Sequence, residues 1–541
     1  MKKLHNLYHT LKHLKPTQLI NRIQRKIIKA KVKNCPELLI TQPKAEWVVA
    51  GLLKSSHVVG ETFCFLNHEG DISNWNDTQQ EKLWLYNLHY FDDFNAIDSK
   101  QRVVMHRIII NKWIEENPPL LGNGWEPYPQ SLRIVNWVKW FLSGNSAELT
   151  WQESLWQQAA VLEQDLEYHL LGNHLFANAK ALVFAGVYFD GKDATRWLNK
   201  GLSILDKELA EQILDDGANF ELSPMYHNTI LADMLDLINL SNTYQHPALQ
   251  SRVNGWKEIS IRMLNWMATM THASGEVALF NDSAIGIAPT AKRINQYANK
   301  LLLEPLSKVP EKVTYLRDSG YIKLAINEQS AILDVARIGP DYIPGHAHAD
   351  TLSFEWNYGT QRIFVNSGTS VYGLGDERLR QRKTEAHNTV VVDEEDSSEV
   401  WSGFRVARRA YPTKPIIQES ADMVSVECSH NGYLRLSGKV THTRNWTMKN
   451  DTFLIVDNLS GEFSSAKAIY HLHPDIVIKQ NSNDVSLILP DGTQFEIEKI
   501  GADLLISDST WHPEFGLSIA NKKFVLKFKQ AEVFFNIKRV K

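Results

Sequence analysis

Apolar positions along the chain follow two periodicities that divide it. Leu4, Leu7, Leu11 and Leu14 recur at helical spacing, Pro16 interrupts them, and Ile20, Ile23, Ile27 and Ile28 resume the pattern with basic residues opposite. This predicts two short basic amphipathic helices. From about 80 to 305 spacings of three and four persist. Val103 to Trp113, Leu132 to Phe141, Trp151 to Leu171, His174 to Tyr188, Trp197 to Ile213, Ile230 to Tyr244 and Trp256 to Met270 each predict a helix. Repeated helix pairs over that length predict an all-α array, either a solenoid or an α/α toroid, and periodicity does not choose between them. After 306 short β-branched or aromatic runs take over: Tyr321 to Ile326, Ala331 to Ile338, Leu352 to Trp356, Arg362 to Val365, Thr389 to Val392, Met423 to Cys428, Phe453 to Val456 and Phe524 to Phe528. Turn residues such as Pro490-Asp491-Gly492 separate such runs. Helices and strands in separate blocks predict an α+β multidomain chain, with a basic segment 1–40, a helical domain 41–305 and a β-sandwich 306–541.

Length and composition agree with this division. A chain of 541 residues exceeds one ordinary hydrophobic core. With 43% hydrophobic and 22% charged residues it reads as globular, and no apolar run is long enough to span a bilayer. Cys35, Cys64 and Cys428 are scattered, which argues against a disulfide framework or a thiolate zinc site. Sixteen Trp and seventeen Tyr fit helix packing and also fit sugar-stacking surfaces.

Charge changes the picture at the N-terminus. Residues 1–34 hold ten Lys/Arg and no Asp/Glu, leaving 48 basic against 62 acidic residues elsewhere. The segment fits peripheral contact with an anionic membrane, or packing onto the body with a solvated basic face. Basic residues interrupt every apolar run, so no signal-peptide pattern is recognisable and a location in the cytoplasm or peripheral to the inner face of a membrane is expected. The acidic body argues against nucleic-acid binding, and the absence of P-loop and GxGxxG patterns against a nucleotide cofactor.

Candidate chemistry centres on Gly345-His346-Ala347-His348-Ala349-Asp350, followed by Ser353-Phe354-Glu355 and Asn366-Ser367-Gly368-Thr369. If extended, the first stretch turns both imidazoles to one side, suiting proton transfer or a metal. Three loops of the helical domain could converge on one ligand: 122–129 before the helix carrying Arg133, Gly172-Asn173-His174, and 220–227, which includes Glu221 and Ser223-Pro224-Met225-Tyr226-His227. Each has an ordinary structural reading as well; Asn173, for example, suits a helix cap.

Taken together and in order, these motifs, with Trp84-Leu85-Tyr86-Asn87-Leu88-His89-Tyr90, Glu126-Pro127-Tyr128-Pro129 and Ala386-His387-Asn388-Thr389, resemble the heparinase II/III-like polysaccharide lyases over residues 84 to about 475. The resemblance implies an incomplete α/α toroid followed by an antiparallel β-sandwich, with the active site between them. It implies Asn173 as the neutraliser of a uronate carboxylate and Tyr226 and His346 as the acid/base pair. His348, Asn366 and His387 match positions that hold zinc in some relatives, although Asn366 replaces an Asp and is a weaker ligand for Zn2+ or another divalent ion. Trp125, Arg133, His174 and Glu221 are candidate contacts for an acidic polysaccharide.

The chemistry explains the residue types. The C5 proton of a uronate becomes acidic when its carboxylate is neutralised, a base then removes it, and an acid protonates the departing C4 oxygen. The expected function is therefore a lyase acting by β-elimination. A glycan-binding or assembly protein that retains the cleft without turnover is the alternative, and a hydrolase using carboxylates such as Glu126, Asp216 and Glu221 is a third reading. His430, Arg444 and His471 rank below the main set. Motifs of this kind leave the polymer, its linkage and its sulfation open.

Overall fold

Pro127 and Pro224 open the helices Pro127–Leu142 and Pro224–Tyr244, at positions where a missing N–H breaks no intrahelical bond. The computed structural model describes residues 2–304, 311–481 and 484–540; the boundary expected at 305/306 lies outside the described residues. The helices Lys82–Tyr90, Val103–Glu116, Pro127–Leu142, Leu149–Leu162, Gly172–Tyr188, Lys192–Gln212, Pro224–Tyr244, Val253–Thr269 and Ala291–Lys300 build an α/α toroid. Its core is aromatic: Trp113, Trp137, Trp140, Trp151 and Trp197 are all fully buried.

Two local features depart from the periodicity. The helix expected to run from Trp151 to Leu171 stops at Leu162. The Asn178 side chain accepts the Glu167 backbone N–H at 2.8 Å, and Leu171 turns to a positive φ of 64°, so the chain folds back before Gly172. Ahead of the toroid, His57–Val59, Thr62–Phe65 and His68–Asp71 form a small antiparallel sheet with no counterpart in the helical pattern.

The second half is an antiparallel sandwich. Five strands run in the order Val313–Leu316, Tyr321–Ile326, Gln329–Asp334, Phe354–Tyr358 and Gln361–Phe364. Four more run Asp503–Trp511, Ile519–Phe528, Ala466–His471 and Val390–Val392, joined to the first group where Phe364 bridges Leu472. An eight-stranded sheet contains Met423–His430, Thr441–Lys449, Thr452–Ser460 and Glu532–Arg539. Its inward residues alternate along Thr441–Lys449 and Thr452–Ser460 as a one-sided sheet requires. Across the layers Trp356 stacks on Phe453, ring centroids 5.5 Å apart.

The two halves share a third core. Ala218, Leu222, Trp266, Met270 and Phe280 of the helical side pack with Leu316, Tyr321, Ile332 and Ala336 of the sandwich. Asp216 accepts the backbone N–H groups of Asp318 and Ser319 and the Ser319 hydroxyl. Deeper in, the buried Glu355 carboxylate of the sandwich receives His272 at 2.6 Å, the Leu279 N–H, the Asn366 N–H and the Arg362 guanidinium at 2.9 Å. Burial alone would raise this carboxyl, but Arg362 and His272 pull it down to about 2.

Glu355→Gln should therefore destabilise the protein by roughly 3–5 kcal/mol near neutrality, since it leaves Arg362 buried with its main counter-charge gone. The ionised carboxylate contributes fully above the ordinary glutamate pKa of about 4.3 and its contribution fades as pH falls toward the folded value. The gap in Tm between wild type and Glu355→Gln, followed by circular dichroism, should narrow on acidification.

Candidate active site

Where helical and sandwich halves meet, one carboxylate organises the cleft. Asp282 lies in the Phe280-Asn281-Asp282-Ser283 segment and is fully buried. Arg378, from the helix Asp376–Arg382, grips it with both terminal nitrogens, the Nη2 contact being 2.6 Å. His346 Nδ1 lies 2.9 Å from Oδ2 and His348 Nε2 lies 2.8 Å from Oδ1. Burial would raise the Asp282 carboxyl, yet Arg378 and the two imidazoles hold it well below the usual carboxylate range.

An ionised carboxylate only accepts, so Asp282 fixes both rings in opposite senses. His346 donates from Nδ1 and turns Nε2 to the cleft; His348 donates from Nε2 and turns Nδ1 away from Asp282. The stretch is not a strand, Gly345 and His346 forming a turn, and it does not present both imidazoles to one cleft as expected: the His346 side chain is 14% exposed, whereas His348 is fully enclosed. The segment is held from the other side by the Asp376–Arg382 region. Arg382 donates to the Ala347 carbonyl at 2.8 Å, and the Thr384 hydroxyl donates to that of Ala349 at 2.9 Å.

Tyr226 arrives from the helical half. Ser223 caps the Pro224–Tyr244 helix by accepting the Tyr226 N–H, and its hydroxyl donates to the Asp282 carbonyl at 2.6 Å, which ties the helix start to the central carboxylate's backbone. The Tyr226 and His346 rings sit 4.1 Å apart. The Tyr226 hydroxyl also pairs with that of Tyr372 at 2.9 Å, and burial, reinforced by Tyr372, pushes the Tyr226 phenol well above its ordinary value.

Asn173 lies in the first turn of Gly172–Tyr188 but does not cap it; the helix has no side-chain cap. Its backbone N–H donates to Glu221 Oε1 at 3.3 Å, and Glu221 Oε2 lies 3.6 Å from His346 Nε2. The buried Glu221 thus spans from Asn173 to His346. Gly172, at φ 56°, suits this close approach, since a Cβ would stand 3.0 Å from Glu221 Oε1. His174 binds Glu167 at 3.1 Å and packs on Tyr128 at 4.4 Å; burial opposes its charge, but Glu167 and then Glu221 raise its pKa.

Two expected substrate contacts are corrected. Trp125 is buried against Trp113, with its indole N–H on the Asn117 carbonyl at 3.0 Å. Arg133 is fully buried, donates to the His89 and Gly124 carbonyls and to Gln158, and stacks 3.9 Å over Trp113. Both are framework residues of the toroid. Of the carboxylates considered for hydrolysis, Asp216 is engaged with the sandwich amides and Glu126 with Tyr86 and Lys82. Arg444 and His430 join His442 and Asp457 in a buried network, and His471 contacts the Glu385 carbonyl.

Behind the cleft, His348, Asp350 and His387 bring one ligand atom each within 4.8 Å of one another, a set that could hold a metal ion. His348 Nδ1 and His387 Nε2 have no protein partner although buried. Burial, against the pull of Asp282, lowers His348 to about 4, and burial together with His348 lowers His387 well below its ordinary value, so both rings stay neutral. Burial raises Asp350 to about 6. Asn366, expected as a ligand, accepts from the Ser353 hydroxyl at 2.8 Å and faces His387 Nδ1 at 3.3 Å. It faces His387 as Asp282 faces His348, and Asp350 could supply a third ligand atom beside the two imidazoles.

Residues 9–305 match the family described as Heparinase II/III N-terminus, and residues 308–537 match Heparinase II/III-like, C-terminal. The chain is 25% identical over 436 residues to a heparin-sulfate lyase of Pedobacter heparinus, covering 72% of this chain and 62% of that protein. It is 21% identical over 397 residues to a heparin-sulfate lyase of Bacteroides stercoris, covering 69% and 56%. The chain thus spans less than two thirds of the length of either relative. Its fold is similar to a crystal structure of Heparinase III, with a TM-score of 0.72 at 20% identity over 97% of this chain and 89% of that one.

Asp282→Asn removes the only negative charge that Arg378 contacts at hydrogen-bonding distance among the described residues. It should destabilise the fold by roughly 3–5 kcal/mol, visible as a lowered Tm.

Proposed function

The chain belongs to the heparinase II/III-like family, and from that membership we propose that it is a polysaccharide lyase cleaving a uronic-acid-containing glycan by β-elimination. The observation that carries this reading is the meeting of Tyr226 and His346, supplied by opposite halves of the protein, 4.1 Å apart with Glu221 reaching from His346 to Asn173. Heparin-sulfate lyases among the relatives make glycosaminoglycan-like polymers the first class to try.

Hydrogen-bond geometry supports a division of roles. His346, with Nδ1–H directed at Asp282, offers the Nε2 lone pair as base; Tyr226, whose phenol resists ionisation, offers a proton as acid. The C5 proton passes to His346 Nε2 while the Asn173 amide donates to the uronate carboxylate and stabilises its developing charge. The electron pair of the C5–H bond forms the C4–C5 double bond, the C4–O bond breaks, and the departing oxygen takes the Tyr226 proton. Tyr372 holds the Tyr226 hydroxyl in place.

His348 Nδ1, His387 Nε2 and an Asp350 oxygen suit a divalent ion such as Zn2+, being two neutral imidazoles and a carboxylate with oriented outer partners. Such an ion would supply fixed positive charge that pins the 346–350 stretch. The proton transfers above need only His346 and Tyr226.

Incubation with uronate polymers should generate the ultraviolet absorbance of a 4,5-unsaturated end. Tyr226→Phe and His346→Ala should each lower the rate by roughly 10²–10⁴-fold; activity surviving in either refutes the assignment, and binding without product would make this a glycan-binding or assembly protein. A 4-deoxy-4-fluoro uronide separates the roles, since fluoride leaves without protonation: Tyr226→Phe should still turn it over and His346→Ala should not. Elemental analysis of protein purified without chelator should find about one divalent ion per chain, lost in His348→Ala and His387→Ala.

A further inference from the structure

The two N-terminal helices dock through a few polar residues. In Lys2–Leu11 Asn6 is buried, and the Thr10 hydroxyl donates to the Val406 carbonyl and accepts the Trp401 indole N–H, each at 3.1 Å. In Pro16–Ile27, Gln18 is buried and donates to the Tyr342 carbonyl, and Arg25 binds Asp165 through two nitrogens. Lys15, just before that helix, pairs with Glu211 and lies over the Tyr342 ring. The segment is docked on the body as one of the two expectations had it, but not with a solvated basic face alone. Its apolar stripe faces outward: Leu4 is 74% exposed, Tyr8 66%, Ile23 61% and Ile27 76%, with Leu11, Leu19, Ile20 and Ile28 also exposed.

Apolar side chains turned to water along both helices disfavour a free state and mark a surface that something covers. Exposed Lys3, Lys12, Arg22, Lys26 and Lys29 lie on the same two helices or directly after them, and residues 1–34 contain no acidic residue. A second copy docking face to face would set these cations against their own images. An anionic bilayer satisfies both components at once: the apolar side chains enter the acyl boundary and the cations meet phosphates. No helix among the described residues is long and apolar enough to cross a membrane. We infer that residues 2–29 are an in-plane docking surface for an anionic lipid bilayer, held rigidly on the protein by the polar contacts of Thr10, Lys15, Gln18 and Arg25.

The placement has a functional side. Tyr342, which Gln18 and Lys15 contact, precedes His346 by four residues. Val406 and Trp401 belong to the hairpin that carries Phe404, whose ring is 6.5 Å from that of His346. Docking would therefore present the cleft mouth close to the membrane surface. The inference is independent of the lyase reading, because it rests on surface contacts alone.

Flotation of the full chain with vesicles of phosphatidylcholine, or of phosphatidylcholine mixed with phosphatidylglycerol, tests it. Binding is expected to the anionic vesicles only and to weaken as salt rises. Ile23→Glu with Ile27→Glu should reduce it at least about tenfold while leaving the circular dichroism melt and the rate on soluble polymer unchanged. A parallel substitution of Lys26 and Lys29 by Gln should weaken it without touching the apolar face. Failure to bind anionic vesicles would overturn the proposal. So would light scattering that shows a dimer dissociated by the Ile substitutions, which would assign the face to a second copy.

Discussion

A carboxylate with no access to water persists only if its charge is fully answered, and at Asp282 the answer is unusually specific. Arg378 supplies the counter-charge; the two imidazoles supply directed hydrogen bonds. Because an ionised carboxylate cannot donate, this one group determines which nitrogen of each ring carries a proton. Nε2 of His346 is left toward the cleft, and Nδ1 of His348 toward the buried trio with Asp350 and His387. The Asp282 carbonyl meanwhile receives Ser223, which fixes the start of the helix bearing Tyr226. The two imidazoles, Arg378 and the junction of the two halves all converge on the three oxygens of Asp282.

The junction matters because neither half contains both Tyr226 and His346. Tyr226 belongs to a toroid helix and His346 to the sandwich side, and they meet only because Trp266, Phe280 and Tyr321 form a shared core beneath them. Glu355 adds a buried ionic tie from the opposite direction and also receives the Asn366 N–H, so the backbone that orients His387 is set by the same contact that joins the halves.

Much of this was legible in the sequence, and what was not has physical reasons. Helical and alternating periodicities separate the two blocks because each element buries one face, and Ser223-Pro224 announced the helix start that positions Tyr226. Asp282 itself left a faint signal, a polar Asn-Asp-Ser step between Leu279-Phe280 and Ala284-Ile285. Arg378 left none: in Asp376–Arg382 it reads as one more cation on a solvated helix, and only tertiary packing makes it fully buried. Arg133 and Trp125 misled for the converse reason. A guanidinium near an aromatic-rich loop fits a sugar cleft in one dimension, whereas in three the donors are consumed by carbonyls and the face by Trp113. The N-terminal helices show that amphipathicity gives two faces without saying which of them meets the protein.

The shared carboxylate also bears on how such a site can change over evolutionary time. Asp282 is neutralised by Arg378, so its hold on His346 does not require anything to occupy the neighbouring trio. Substitutions at Asp350, His387 or Asn366 can accumulate without first dismantling the proton-transfer pair. Drift at Asp282 or Arg378 has no such freedom, since either change strands a buried charge. A lineage built on this arrangement can gain or shed a metal as a separate event, and the ligand positions should diverge before the arginine and aspartate do.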